Sequence, residues 1–258
     1  MTYEFAKVSR DGHVLTVTMN RPEVMNAGHP PMHSEMAKIW DEFDGDPDLW
    51  VAIITGAGDR AFSAGNDLKA TAAGGKRSAE PTGFAGLTTR WTREKPVIAA
   101  VNGVAMGGGF ETALACDIIL AADHARFALP EVRVGLFAGA GGVQRLSRQI
   151  GRKPAVEMML TGRSVYADEA LSLGIVNEVV PADQLMDRAR AKAAEIVAVS
   201  PSSVKATKRV LNAMDDLENM AASMAFSRMT SVELRETYDF AEGVKAFVEK
   251  RKPDWKNR

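Results

Sequence analysis

Hydrophobic positions change their period along this chain, and each change marks an element. Val14–Met19 is rich in β-forming residues and follows Asp11-Gly12, a hairpin turn pair, so residues near 3–19 predict a β-hairpin. Met32, Met36, Ile39, Trp40 and Phe43 then recur at helical spacing, which predicts a helix over 32–43. Val51-Ala52-Ile53-Ile54-Thr55, closed by Gly56, is a short apolar run of the kind that forms a buried strand, and Val97–Val101 and Ile118–Ala121 read the same way. Short buried strands alternating with helices predict a layered α/β fold, with ligands expected where strands feed into loops. Residues 71–86 are dominated by Ala, Gly, Ser and Pro around Lys76-Arg77 and read as a loop. From about residue 181 the pattern is wholly helical. Pro201-Ser202-Ser203 supplies a helix start, and apolar positions recur through Val210, Leu217, Met224, Phe226, Ala241, Val244 and Phe247. The chain therefore divides into a core over residues 1–195 and a helical segment over 196–258. The methionines of that segment (Met214, Met220, Met224, Met229) suit a core or a subunit contact better than a cofactor site.

Composition narrows the class. The 258 residues are 46% hydrophobic and 25% charged, ordinary for a globular enzyme-sized domain. Basic and acidic residues balance at 32 against 33, net −1, which leaves no electrostatic footprint for nucleic acid. No apolar run is long enough to span a membrane, and Met1-Thr2-Tyr3-Glu4 has no signal-peptide character, so a cytoplasmic protein is expected. The single cysteine, Cys116, excludes an internal disulfide and reads as a buried structural thiol. Four histidines form no metal-ligand pattern; His29 and His33 are spaced i, i+4, but Pro30 and Pro31 lie between them, and no metal is expected. Neither a dinucleotide fingerprint nor a P-loop is present. Ala61-Phe62-Ser63-Ala64-Gly65 lacks the first glycine of a hydrolase nucleophile elbow.

What remains chemically is a pair of glutamates around a glycine loop. Met106-Gly107-Gly108-Gly109-Phe110-Glu111 runs three glycines into a helical pattern, presenting bare backbone N–H groups with a carboxylate close behind. Ala128-Leu129-Pro130-Glu131 supplies a second carboxylate. Two proton-moving groups beside an anion-stabilising backbone suit chemistry next to a carbonyl. Phe62-Ser63-Ala64-Gly65-Asn66-Asp67-Leu68 reads either as an ordinary turn and helix cap at Asp67 or as a second backbone donor.

In this order, Ala61–Leu68, Gly107–Glu111 and Pro130–Glu131 resemble the crotonase superfamily, specifically the enoyl-CoA hydratases. Further segments match: Asn20-Arg21-Pro22 with Asn26-Ala27, Lys95–Gly103, Gly139–Leu146, Thr161-Gly162 and Phe247–Arg251. The resemblance implies an α/β crotonase-like spiral of ββα repeats with a C-terminal helical segment that assembles homotrimers, often paired as hexamers. It places the two oxyanion-hole amides on Asn66 and Gly108, and the catalytic carboxyls on Glu111, which would activate water, and Glu131, which would handle the Cα proton. Gly139 falls where a backbone N–H meets the water. Coenzyme A would be part of the substrate, with no separate cofactor. Its contacts are expected among Arg21, Ser63, Ala64, Asp67, Leu68 and Lys69, with Phe247 and Lys250 reaching a neighbouring subunit's coenzyme.

Three departures qualify the match. Glu23 stands where many relatives have a lysine near the CoA phosphates, so Arg21 or Lys69 would substitute. Phe137-Ala138 replaces an aliphatic-proline pair. Gly28-His29-Pro30-Pro31 has no assigned role at the helix entrance. The expected reaction is reversible hydration of a 2-trans-enoyl-CoA to a 3-hydroxyacyl-CoA. Gly83–Thr88 and Asp254–Arg258 also resemble crotonobetainyl-CoA (carnitinyl-CoA) hydratases, where Trp91 or Phe84 could face a quaternary ammonium. An enoyl-CoA isomerase, a non-catalytic acyl-CoA binder and an RNA-associated relative are the other readings.

Overall fold

The computed structural model describes residues 3–73, 80–214, 216–217 and 219–258. The predicted hairpin forms from β1 (Ala6–Asp11) and β2 (Val14–Met19), paired antiparallel around Gly12, whose φ of 53° is the left-handed angle such a turn needs. A chain of short strands follows: β3 (Val51–Gly56), β4 (Ala61–Ser63), β5 (Val97–Val101), β6 (Val104–Met106), β7 (Ile118–Ala122) and β8 (Arg126–Ala128). β9 (Val165–Tyr166) and β10 (Glu178–Val180) complete the set. From β3 to β8, odd and even members go to different sheets. The six-stranded sheet runs β1-β2-β3-β5-β7-β10, and the four-stranded sheet runs β4-β6-β8-β9. Each β3-β4, β5-β6 and β7-β8 pair is thus one step of a spiral, advancing in parallel along both sheets.

The continuous apolar runs are explained by burial on both faces of the larger sheet. Ala52 and Ile54 of β3 point into the main core with Trp40, Phe43, Phe62, Phe110 and Phe127. Val51 and Ile53, one residue out of step, join Ile98, Ala100 and Leu120 in a second core. That second core is closed by Leu185, Ala189 and Ala193 of α7 (Leu185–Val197).

The first helix, α1 (Pro30–Gly45), is longer at both ends than its periodicity predicts and begins on the two prolines, whose missing N–H groups cost nothing in a first helical turn. The expected 71–86 loop holds the end of α2 (Leu68–Ala72), capped by Asp67, and a 3-10 turn at Phe84–Gly86; its Lys76-Arg77 centre lies outside the described residues. The remaining helices are α3 (Gly108–Leu114), α4 (Gly142–Gln149), α5 (Arg152–Thr161) and α6 (Ala167–Ser172), then α8 (Pro201–Met214), α9 (Met220–Arg235) and α10 (Tyr238–Glu249).

α8, α9 and α10 pack on one another at the C-terminus. Lys208 of α8 ties this layer to the core through an ion pair with Asp117. Within the single chain, Met214, Met220, Met224 and Met229 are exposed, together with Val232, Val244, Phe247 and Val248, so these methionines fill no core of their own chain. Cys116 is half-buried rather than fully buried, and its thiol donates to the Thr112 carbonyl. Among the described residues no helix is long and apolar enough to cross a membrane, and no acidic, His or Cys cluster could hold a metal.

Candidate active site

The glycine loop leaves β6 and turns directly into α3. Gly107 adopts a φ of 53°, and Gly108 is the first helical residue, so its N–H has no intrahelical acceptor and points out of the helix start. Glu111 follows in the first turn and is 3% exposed. Its Oε1 accepts two backbone N–H bonds, from Ala140 at 2.7 Å and Gly142 at 2.9 Å. Gly142 is itself the first residue of α4, so the carboxylate lies at the positive end of that helix. Oε2 takes part in neither bond.

Burial pushes the Glu111 carboxyl up to about 7; the Gly142 and Ala140 amides and the Arg145 cation act downwards, and the Glu131 charge acts upwards with burial. Glu131 opens a 3-10 turn (Glu131–Val134) after Pro130. Burial raises its carboxyl as well, and its Oε2 is enclosed with no hydrogen-bond partner. Its Oε1 lies against Gly107: a Cβ added there would be 3.0 Å from that oxygen. The two carboxyls thus come to the glycine loop from different elements, and burial raises both above the ordinary carboxylate range.

Asn66 approaches from the turn that follows β4. Gly28 and Asn66 form an isolated parallel bridge, in which the Gly28 N–H donates to Gly65 O and the Asp67 N–H donates to Gly28 O, each at 2.8 Å. The Asn66 N–H lies outside that pair of bonds. Gly65 has a φ of 88°, and a Cβ there would fall 2.6 Å from Met106 O and 3.2 Å from the Gly108 nitrogen. The 64–66 turn and the Gly108 amide are therefore in direct contact, and only glycine fits between them. Gly109 meets the Ser63 carbonyl with the same closeness.

Several expected coenzyme contacts carry structural bonds of their own. Arg21 pairs with Asp67 at 3.1 Å and donates to Ala27 O at 2.5 Å, with both charged side chains mostly buried. Asp67 also caps α2 through Ala70 N–H, and that bond, together with Arg21, holds its carboxyl below the usual range. Ser63 Oγ donates to Asn26 O, and the Ala64 N–H donates to Met25 O. Leu68 and Lys69 are exposed beside them. Gly139 is exposed at the mouth of the turn that holds Glu111. Phe247 and Lys250 stand on the exposed end of α10, in the C-terminal layer rather than beside this chain's glutamates.

Three contributors have weak local signals in the sequence. Asn26, fully buried at a φ of 54°, bonds Ala57 O, Ala61 O and Arg21 N–H and pins the first loop beneath the site. Arg145 donates to Thr88 O at 2.8 Å and Ala140 O at 3.5 Å, with its guanidinium over the Trp91 ring. Phe84 packs against Gly28 and Gly108 together. A cavity of about 570 Å³ lies elsewhere, lined by Asp44, Thr82, Arg90, Lys95 and Lys205 among others; none of Asn66, Gly108, Glu111 or Glu131 lines it. The chemistry is located by the convergence of amides and carboxyls, not by that hollow.

Comparison with known proteins agrees in sequence and in shape. Residues 9–258 match the family model described as enoyl-CoA hydratase/isomerase. Carnitinyl-CoA dehydratase of Escherichia coli K12 is 44% identical over 263 residues, covering 99% of each chain, and that of Citrobacter koseri is 45% identical over 257 residues, covering 97% of each. Among solved structures, enoyl-CoA hydratase from Mycobacterium tuberculosis H37Rv superposes with a TM-score of 0.93 at 38% identity, covering 98% of this chain and 99% of its own. That from Bacillus anthracis gives 0.91 at 33% identity over 99% of this chain and 100% of its own. With the spiral of paired strands and the converging amides and carboxyls, these matches cover the chain almost end to end: it belongs to the enoyl-CoA hydratase/isomerase family and is an enzyme of the hydro-lyase kind.

Proposed function

We propose that the enzyme adds water reversibly across the double bond of a 2-trans-enoyl-CoA, giving a 3-hydroxyacyl-CoA. The observation that carries this is the pair of carboxyls, Glu111 buried and Glu131 half-buried, both raised by burial beside one glycine loop. The thioester oxygen sits between the Asn66 and Gly108 amides, which stabilise the negative charge that arrives when oxygen adds at Cβ. Losing one donor of this type costs about 2.7–4 kcal/mol of barrier. Glu111 takes a proton from water as its oxygen bonds to Cβ; Glu131 delivers a proton to Cα as the enolate collapses. Burial pushes the Glu111 carboxyl up to about 7, so it can change protonation state at working pH, and burial also raises Glu131, which favours the proton-carrying form this exchange asks of it. Gly139 lies at the turn where the water would enter. No metal or redox group takes part in this scheme.

The homotrimer, or the hexamer of paired trimers, finds support in the exposed apolar residues of α9 and α10, an area a soluble monomer seldom leaves open. In such an assembly Phe247 and Lys250 reach a neighbour's coenzyme. Arg21, Asp67, Leu68 and Lys69 border the coenzyme path in this reading, with Ser63 and Ala64 beneath the adenine. A cytoplasmic site of action fits the same reading.

Crotonyl-CoA and longer enoyl thioesters test the activity through loss of the conjugated absorbance. Full activity in a folded Glu111→Gln, Glu131→Gln double variant would remove the mechanism. A second reading concerns the acyl group. The match to carnitinyl-CoA dehydratases favours crotonobetainyl-CoA as a substrate, although the Trp91 face that could receive its ammonium is met by Arg145. The ratio of kcat/KM for crotonobetainyl-CoA and crotonyl-CoA decides between them.

A further inference from the structure

The proline-rich entrance to α1 brings His33 to a place where it can act on the oxyanion hole. His33 is 3% exposed, and its Nδ1 accepts the Ala85 N–H at 3.1 Å. Because a backbone N–H can only donate, the imidazole is neutral with its proton on Nε2. Ala85 is fully buried with a φ of 51°, an angle an alanine holds only when its surroundings impose it. Its other polar group is fixed too, since Trp40 Nε1–H donates to Ala85 O at 2.9 Å. Both restraints come from α1, one turn and three turns into the helix.

The residue carried by this strained alanine is Phe84. Its ring lies 4.4 Å from the His33 ring and fills the side-chain space of two glycines at once. A Cβ on Gly108 would fall 2.5 Å from the Phe84 ring, and a Cβ on Gly28 would fall 2.7 Å from it. Gly108 is one oxyanion donor; Gly28 is bridged to the 65–67 segment that carries the other, Asn66. One aromatic ring therefore touches both halves of the hole, and the bonds to Ala85 set where that ring stands.

We infer that His33 is a positioning residue for the oxyanion hole, acting through Ala85 and Phe84 to hold the Gly108 amide and the Asn66-bearing segment at a fixed separation. The assignment rests on the oxyanion role given above to Asn66 and Gly108. It gives a purpose to Gly28 and His33, which flank the unassigned Pro30-Pro31 entrance. Gly28 must lack a side chain to admit the Phe84 and His33 rings, and the prolines start α1 where His33 reaches Ala85.

The test compares His33→Leu with His33→Asn. Asparagine can place an acceptor oxygen near the imidazole Nδ1 position, whereas leucine leaves the Ala85 N–H without a partner. Small misplacement of reacting groups can cost ~100-fold in rate, so His33→Leu should lower kcat on crotonyl-CoA by roughly 10- to 100-fold with KM little changed. His33→Asn should recover most of that loss. A conjugated cinnamoyl-CoA ester supplies a readout of carbonyl polarisation: its bound absorbance should shift to the red in the wild type and His33→Asn and less in His33→Leu. Phe84→Leu, which withdraws the ring but leaves His33 and its acceptor for Ala85 N–H unsubstituted, should reproduce the kcat loss, and the double variant with His33→Leu should be no worse than either. Wild-type kcat and an unchanged red shift in folded His33→Leu would overturn the assignment, as would equal losses in the Leu and Asn variants. If Leu fails to fold, wild-type kcat in Phe84→Leu overturns it. Absence of any enoyl-CoA turnover in the wild type would instead strike the proposed function.

Discussion

Arg145 places its guanidinium carbon 4.5 Å from the centre of the Trp91 ring. The same guanidinium reaches the turn that holds Glu111, for a Cβ on Gly141 would collide with Arg145 Nη1 and approach Trp91. Trp91, one of two aromatics that could face a substrate ammonium in the carnitinyl-CoA reading, therefore seats a cation of the protein in the folded chain. That cation is one of the influences holding the Glu111 carboxyl down against burial.

Its removal should accordingly shift the pH profile. In Arg145→Gln the carboxyl loses a nearby positive charge, so the Glu111-dependent limb of kcat/KM should move to higher pH. Trp91→Leu should move it in the same direction by less, because the cation stays but loosens, with a stability loss of about 0.5–1 kcal/mol for a partly exposed cation–π contact. A limb that stays in place in both variants would show that Glu111 does not set it.

Gly65 offers a harder test of the oxyanion geometry. Alanine there meets both a φ of 88° and the Met106 carbonyl, so the 64–66 turn must shift relative to Gly108. The expected result for Gly65→Ala is a fall in kcat of about 10²–10³, the size of losing one donor, with a smaller change in KM. Steady-state kinetics on crotonyl-CoA measures both.

Arg21 separates bracing from coenzyme binding. Its charge is already used by Asp67 and by Ala27 O, which ties the first loop to the helix cap of α2. If bracing dominates, Arg21→Gln should lose the same factor of kcat/KM on crotonyl-CoA as on a crotonyl-pantetheine lacking the nucleotide. A loss confined to the CoA ester would instead assign the guanidinium to phosphate. Asp67 should behave as Arg21's counterpart: breaking a largely buried pair from either side costs more than an exposed surface pair, where about 0–1 kcal/mol is typical.

These contrasts follow the line between what the sequence announces and what it conceals. β3 and β5 are legible because a strand buried on both faces must be apolar throughout, and Val51–Thr55 and Val97–Val101 can satisfy no other environment. Gly108 and Glu111 are legible because a helix that begins on bare glycines and carries a carboxylate in its first turn has few bland explanations. The partners of Glu111 are not: Ala140 and Gly142 act through backbone N–H groups, which no side chain reports. Phe84 sits in a Gly- and Ala-rich stretch that reads as loop, and its importance appears only when the voids at Gly28 and Gly108 meet in space. His33 is buried on the same face of α1 as Met36 and Trp40, but as a polar residue it registers in sequence only as one of four unpatterned histidines. The C-terminal methionines show the converse, since helical periodicity alone could not say whether their faces meet their own core or another surface.

Glu111 also links catalysis to stability, with a sign that can be worked out. Its folded-state acidity lies near 7, above the 4.5 of an unperturbed glutamate, so the native state binds this proton more tightly than the unfolded chain does. The associated stability is fully present below the unfolded value and is lost as pH rises through about 7, on the order of 3 kcal/mol in all. In Glu111→Gln no charge has to be buried, while the amide oxygen can still accept from Ala140 and Gly142. The variant should therefore match the wild type near pH 4, where both side chains are neutral, and melt several degrees higher at about pH 9. Hydration should be slower by about 10²–10⁴ in the same variant. Melting curves across that range read the first effect and turnover reads the second. A variant no more stable than wild type at alkaline pH would mean that the buried carboxylate is fully compensated by the two amides of its turn, and that its proton is not held by burial.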